Sequence, residues 1–289
     1  MKLEQVKQQQ KEVAEKYKFN FEEIEDLLPA FVDLVTKLKD KIEKGEYETL
    51  VSDEGGGRIP TLVLRNIIKE ITPKLEPKTV FIGGGKAYVP GPDLEEKYDL
   101  LLDTLRDRIS GAKKVLVITQ FTHKGNSIRG LVSAIHTAGV KDVDIASLDS
   151  AYIFKDHKDQ FEKDIGKDSL FIGGPYNHSI NEKHEHLGGI RKSGEYNPTV
   201  FSQKNNDLIK KEGRLISVEK WSEFFVEPGD KPWDLIKRSK DPERIKKFEE
   251  YKFSELTDAE KKEIQDSINK ARADAKYLAL KIIKEVWGR

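Results

Sequence analysis

The sequence predicts an α/β protein built on a mostly parallel sheet flanked by helices. Three observations predict it. Short apolar segments alternate with segments whose apolar residues recur at helical spacing, which is the order of βαβ units. One short segment, Val115-Leu116-Val117-Ile118, is an unbroken apolar run, as a central parallel strand covered on both faces requires. Three of the short segments run into glycine-bearing loops, at 55–57, at 83–85 and at Gly125.

Composition narrows the partners. The chain has 289 residues, enough for one large domain or one domain with appendages. Its 51 Lys and Arg balance 51 Asp and Glu, so overall charge argues against a nucleic-acid partner. Charged residues make up 35% and hydrophobic residues 37%, yet the apolar ones cluster periodically. That is the pattern of a globular chain with long solvated helices. The absence of cysteine rules out disulfides, Cys-ligated zinc and a Cys nucleophile. The segment MKLEQVKQQQKEVAEKYKF carries no apolar signal-peptide core. No stretch approaches the roughly 18 to 20 apolar residues that span a bilayer. The expectation is a cytoplasmic protein with no membrane partner.

The elements follow in order. Residues 3–45 read as one or two helices, with Ile24, Leu27, Leu28, Phe31, Leu34, Val35 and Leu38 on one stripe. Gly45 is the expected stop. A strand over 47–52 leads into Asp53-Glu54-Gly55-Gly56-Gly57-Arg58-Ile59-Pro60 and a helix over 61–71. A strand over 79–83 leads into Gly83-Gly84-Gly85-Lys86 and a helix over 93–109. A strand over 113–119, a helix over 126–138, and strands over 142–147 and 169–173 complete the core. The tail over 257–287 reads as a strong helix, with Thr257 and Glu260 as a capping box. The expected division is a helical extension over 1–46, an α/β core over 47–175, and a helical C-terminal region over 176–289. The tail stripe Ala275, Leu278, Ile282, Ile283 and Val286 is expected to be a packing face or the dimer face of a homo-oligomer. Trp221, Phe224, Phe225 and Trp233 read as core or helix-contact aromatics.

The segment VLVITQFTHKGNSIRGLVSAIHTAGV, residues 115–140, carries the strongest chemical signal. It reads as a buried strand, a polar loop and a helix opening at Asn126 or Ser127. Open α/β sheets bind ligands at the carboxyl ends of their strands. A helix N-terminus there offers unpaired N–H groups and a partial positive charge, which suits a phosphate. Gly125 permits close backbone approach, Ser127 offers a hydroxyl, and Lys124 adds charge. An ordinary β-loop-α turn is the competing reading of the same residues. Neither glycine run matches G-x-G-x-x-G or the P-loop pattern.

This segment resembles the phosphoribosyl-diphosphate signature of type I phosphoribosyltransferases. There an apolar strand leads through two acidic residues to a phosphate loop and a helix. His123, Lys124, Gly125, Asn126 and Ser127 fall in register with the 5′-phosphate loop, with Thr122 before them. The two acidic positions, which hold the ribose hydroxyls in the family, are Thr119 and Gln120 here. A glutamine still hydrogen-bonds a hydroxyl but supplies no negative charge for an oxocarbenium-like transition state.

The resemblance also implies that Gly55, Gly56, Gly57 and Arg58 hold a diphosphate together with Mg²⁺, Arg58 through a bidentate contact. Asp53 and Glu54 remain open between holding a metal, capping the next helix and acting as acid or base. Lys86 is placed to reach a phosphate across the cleft. Tyr176, Asn177 and His178 correspond to the base-contacting loop. His184 and His186 would share a face if extended, although loop histidines are the plainer reading.

The leading expectation is thus a phosphoribosyltransferase-like protein binding phosphoribosyl diphosphate or a nucleotide, with transfer of a phosphoribosyl group as the implied reaction. Two alternatives stand beside it. One is a non-catalytic protein that senses a nucleotide or binds a partner, which the missing acidic pair favours. The other is a hydrolase of an N-glycosidic bond or a phosphate, using Asp53 or Glu54 to activate water.

Overall fold

A computed structural model of the chain describes residues 17–53, 57–82, 95–122, 125–150, 154–174 and 258–289. A single-turn helix α1 (Glu22–Glu25) precedes α2 (Leu28–Glu43). Then come β1 (Thr49–Asp53), α3 (Arg58–Ile71), β2 (Lys78–Ile82), α4 (Glu95–Ile109), β3 (Lys114–Thr122) and α5 (Asn126–Thr137). They are followed by β4 (Asp142–Ser150), α6 (Phe154–Ile165), β5 (Leu170–Ile172) and α7 (Asp258–Trp287). The five strands form one sheet in the order β2-β1-β3-β4-β5, and every neighbouring pair is parallel. The α/β class and parallel sheet expected from the sequence are therefore present.

The period-2 alternation of a strand explains the two cores. On β3, Leu116 and Ile118 join one apolar cluster, while Val115 and Val117 join another on the opposite face. Helices α2, α3 and α7 cover the first face through residues such as Phe31, Leu34, Leu64, Ile67, Leu278 and Ile282. Helices α4, α5 and α6 cover the second through Leu105, Leu131, Ile135 and Phe161. Because β3 is covered on both sides, it needs the continuous apolar run that marked it in the sequence.

Of the two uses expected for the tail stripe, packing within the chain is the one seen. Ala275, Leu278, Ile282 and Ile283 are buried, with Val286 packed partly against them. The same face is tied by a polar knot. The buried Asp274 carboxylate accepts from Tyr17 Oη (2.7 Å), the Asn20 amide Nδ2 (2.8 Å) and the Phe21 backbone N–H (2.9 Å). At the end of β5, a Cβ on Gly173 would collide with the Ala30 and Leu148 carbonyl oxygens and with Leu34 Cβ. Only glycine lets α2 approach the sheet this closely.

Three boundaries lie three residues from the sequence reading, each for a physical reason. Strand β3 runs to Thr122 and β4 to Ser150, three residues further than expected in each case. Their register continues through Thr119↔Ser147, Phe121↔Asp149 and Thr122↔Ser150. Ladder hydrogen bonds join backbones, so polar side chains do not end them. Helix α3 begins at Arg58, because Pro60 in a first turn removes an N–H that has no helical partner anyway. Helix α6 had no counterpart in the sequence reading. Its only large apolar residues are Phe154, Phe161 and Ile165 in a charged background, too sparse for a helical stripe. Phe154 and Phe161 nonetheless bury fully and meet edge to face at 5.3 Å.

Candidate functional site

The order of strands places the site. From β1 the chain steps to β2 on one side, then returns across β1 to β3 on the other. Connections leaving β1 and β3 diverge to opposite faces of the sheet, which opens a crevice beyond their carboxyl ends. Helix α3 starts above one face and α5 above the other. Two helix N-termini, each with a partial positive charge, therefore flank the crevice.

Asp53 ends β1 and pairs in register with Ile82. The last β1–β3 pair is Ser52↔Ile118, which brings Asp53 level with Thr119. Gly57 is the N-cap of α3 and is buried. Arg58 is the first residue of α3, and its guanidinium lies over the Phe81 ring at 4.5 Å from the centroid. Cation–π contact of this kind fixes the guanidinium at the β2 side of the crevice.

Thr119, Gln120 and Thr122 belong to β3 itself rather than to the loop after it, and all three are buried. The Thr119 hydroxyl donates a long bond to the Phe121 carbonyl (3.4 Å). The Thr122 and Ser147 hydroxyls lie 2.8 Å apart, and Ser147 Oγ donates to the Asp149 carbonyl at 2.6 Å. Gly125 is the N-cap of α5, with φ +78°, and no side chain caps this helix. Asn126 and Ser127 are its first two residues and are exposed. A Cβ on Gly125 would lie 2.6 Å from the Phe161 ring and 3.3 Å from Phe154. Left-handed φ and ring contact together require glycine here. They also press the first turn of α5 against α6, beside the carboxyl end of β4.

The structure thus brings together Asp53, Gly57, Arg58, Thr119, Gln120, Thr122, Gly125, Asn126 and Ser127 at one end of the sheet. Glu54, Gly55, Gly56, Lys86, His123, Lys124, Tyr176, Asn177 and His178 lie outside the described residues, as do His184, His186 and the 221–233 aromatics. No group of three or more His, Asp or Glu side chains among the described residues is arranged to hold a metal ion.

One residue of this end was missed in the sequence reading. Asp149 is 3% exposed, and its Oδ2 has no hydrogen-bond partner among the described residues. Its Oδ1 accepts from the neighbouring Ser150 N–H, at 2.7 Å. Burial pushes its carboxyl up to about 6, against a small lowering from that N–H. The available signal was an acid in a strand that continued past Ser147. Ending the strand at Ser147 left Asp149 in a supposed loop.

Comparison with protein-family models, with curated proteins and with solved structures finds no match to this chain. Among the described residues, no helix is long and apolar enough to cross a membrane.

Proposed function

We propose that this protein binds a ribose 5-phosphate compound, either phosphoribosyl diphosphate or a nucleotide, in the crevice beyond β1 and β3. The observation that carries this reading is the start of α5. A glycine-initiated helix with no side-chain cap opens at the point where the strand order reverses. The phosphate accepts from backbone N–H groups of the first turn, with the Ser127 hydroxyl beside them. Arg58, the first residue of the opposite helix, would supply the cation for a second phosphoryl group.

Binding is better supported than phosphoribosyl transfer. Thr119 and Gln120 are neutral, so they give no charge to stabilise an oxocarbenium-like centre. Mg²⁺ binds through one or two carboxylates together with phosphate oxygens.

Calorimetric titration with ribose 5-phosphate, phosphoribosyl diphosphate and nucleoside monophosphates tests the reading. Saturable binding that weakens in Gly125→Val is expected. Absence of heat with every one of these compounds would overturn it. Turnover of phosphoribosyl diphosphate with a panel of bases separates a transferase from a binding protein.

A further inference from the structure

An uncapped helix start and an unpartnered carboxylate oxygen stand at the same carboxyl end of the sheet, and their needs are opposite. Helix α5 starts without a side-chain acceptor for its N–H groups. Asp149 Oδ2 is buried without a donor. A carboxylate near a helix start ordinarily caps it, which would satisfy both. Here that bond is not made.

Their shared location follows from the strand pattern. On β4, Val143 and Ile145 join the apolar cluster that contains Ile128 and Leu131 of α5. Alternation puts Asp149 on that same face, and it pairs in register with Phe121, four residues before Gly125. Gly125 in turn packs on Phe154 and Phe161, which follow directly from β4. The adjacent hydroxyls are committed elsewhere. Ser147 Oγ donates to a backbone carbonyl, and Thr122 Oγ1 bonds Ser147. A buried carboxylate oxygen without a partner points to a missing ligand group.

We infer that Asp149 is a specificity-determining residue of this site, accepting a hydroxyl of a phosphorylated sugar whose phosphate sits on the first turn of α5. The inference rests on the phosphate reading above and adds an uncharged hydroxyl donor held away from the phosphate. A bare phosphate holds its P–OH donors beside its own negative charge, which repels a carboxylate. A sugar phosphate supplies an acceptor to the helix and a donor to Asp149 in one molecule. The carboxylate that Thr119 and Gln120 do not provide thus comes from the neighbouring strand.

The test compares affinity for ribose 5-phosphate with affinity for inorganic phosphate, in EDTA, for the full chain and for Asp149→Asn and Asp149→Leu. The unaltered chain is expected to prefer the sugar phosphate. Asp149→Leu should cut ribose 5-phosphate affinity by roughly tenfold or more, as loss of a hydrogen bond to a charged group does. Inorganic phosphate affinity should be unaffected or rise. An unchanged preference in both variants overturns the inference, and so does a preference in the unaltered chain that appears only with Mg²⁺. Failure of the unaltered chain to bind either compound overturns the phosphate reading itself. Carboxyl carbon NMR of the unaltered chain keeps the question open to refutation if the variants do not fold. The Asp149 signal should move with ribose 5-phosphate and not with inorganic phosphate, and a signal indifferent to both rejects the contact.

Discussion

Strand β4 carries two buried aspartates, five residues apart, and they live under opposite conditions. Asp144, 1% exposed, sits near the amino end of the sheet and is fully engaged. Its Oδ2 accepts from Tyr47 Oη at 2.7 Å, Lys41 Nζ at 3.0 Å and Lys114 Nζ at 3.1 Å. Burial, and then the adjacent Asp144 carboxylate, holds the Tyr47 phenol well above its usual range. Asp149, 3% exposed at the carboxyl end, has one backbone N–H and an empty oxygen. The chain thus satisfies a buried carboxylate at the amino end of the sheet and leaves one oxygen unsatisfied among the described residues at the carboxyl end, where binding is proposed. Unsatisfied groups cost stability, and such costs concentrate at functional sites.

The comparison is broken most forcefully at Asp144. Asp144→Ala takes the acceptor from the buried Tyr47 phenol and leaves Lys41 and Lys114 with only the outer carboxylates of Glu46 and Asp142. Urea unfolding should show a loss of about 3 to 5 kcal/mol, the range for removing one partner of a buried pair. A loss under about 1 kcal/mol would deny the amino end its structural role.

Asp149 should behave in the opposite sense. Its folded-state carboxyl titrates near 6, against an ordinary value of 3.8. Below 3.8 both folded and unfolded forms are protonated, and no penalty exists. As pH rises through this window the unfolded chain ionises first, so stability falls until the folded carboxyl has titrated. A shift of this size is worth about 3 kcal/mol at neutral pH. Asp149→Asn should therefore gain on the unaltered protein between pH 4 and pH 7, read as the difference between two unfolding series. A difference that is flat with pH would contradict this.

Gly125→Ala tests the wall behind the site. The added methyl meets Phe161 at 2.6 Å and takes a left-handed φ. A loss of about 1 to 3 kcal/mol is expected, together with weaker phosphate binding by calorimetry. Undiminished stability and affinity would mean that the turn tolerates a side chain.

The smallest effect belongs to Glu46, whose partly exposed carboxylate lies 3.1 Å from Lys114 Nζ. Glu46→Gln should change unfolding free energy by no more than about 1 kcal/mol, because solvent screens such a pair. A larger loss would show that the amino-end network depends on its rim as well as on Asp144.

Much of this architecture was legible in the residues. The run 115–118 marked the central strand because burial on both faces demands unbroken apolar chemistry. The stripe from Ile24 to Leu38 and the tail stripe marked helices because 3.6-residue periodicity reports one buried face. Gly125 was readable as a loop glycine before a helix. Helix α6 was not readable, since two phenylalanines seven residues apart, with Ile165 partly buried beside them, are its apolar anchors. The polar ends of β3 and β4 were not readable either, because nothing in Thr, Gln, Ser or Asp distinguishes a paired strand from a loop.

The sequence by itself determined the α/β class, the alternation of strands and helices, and the positions where glycine opens a loop. Local periodicity and backbone permissiveness are properties of neighbouring residues, so they survive in a linear text. The tertiary structure alone decided the strand order, and with it which carboxyl ends adjoin. It also decided that α2 and α7 share a face with α3, and that Asp144 finds three donors while Asp149 finds one. Those outcomes depend on groups brought together from across the chain, whose distances in space no local spacing encodes.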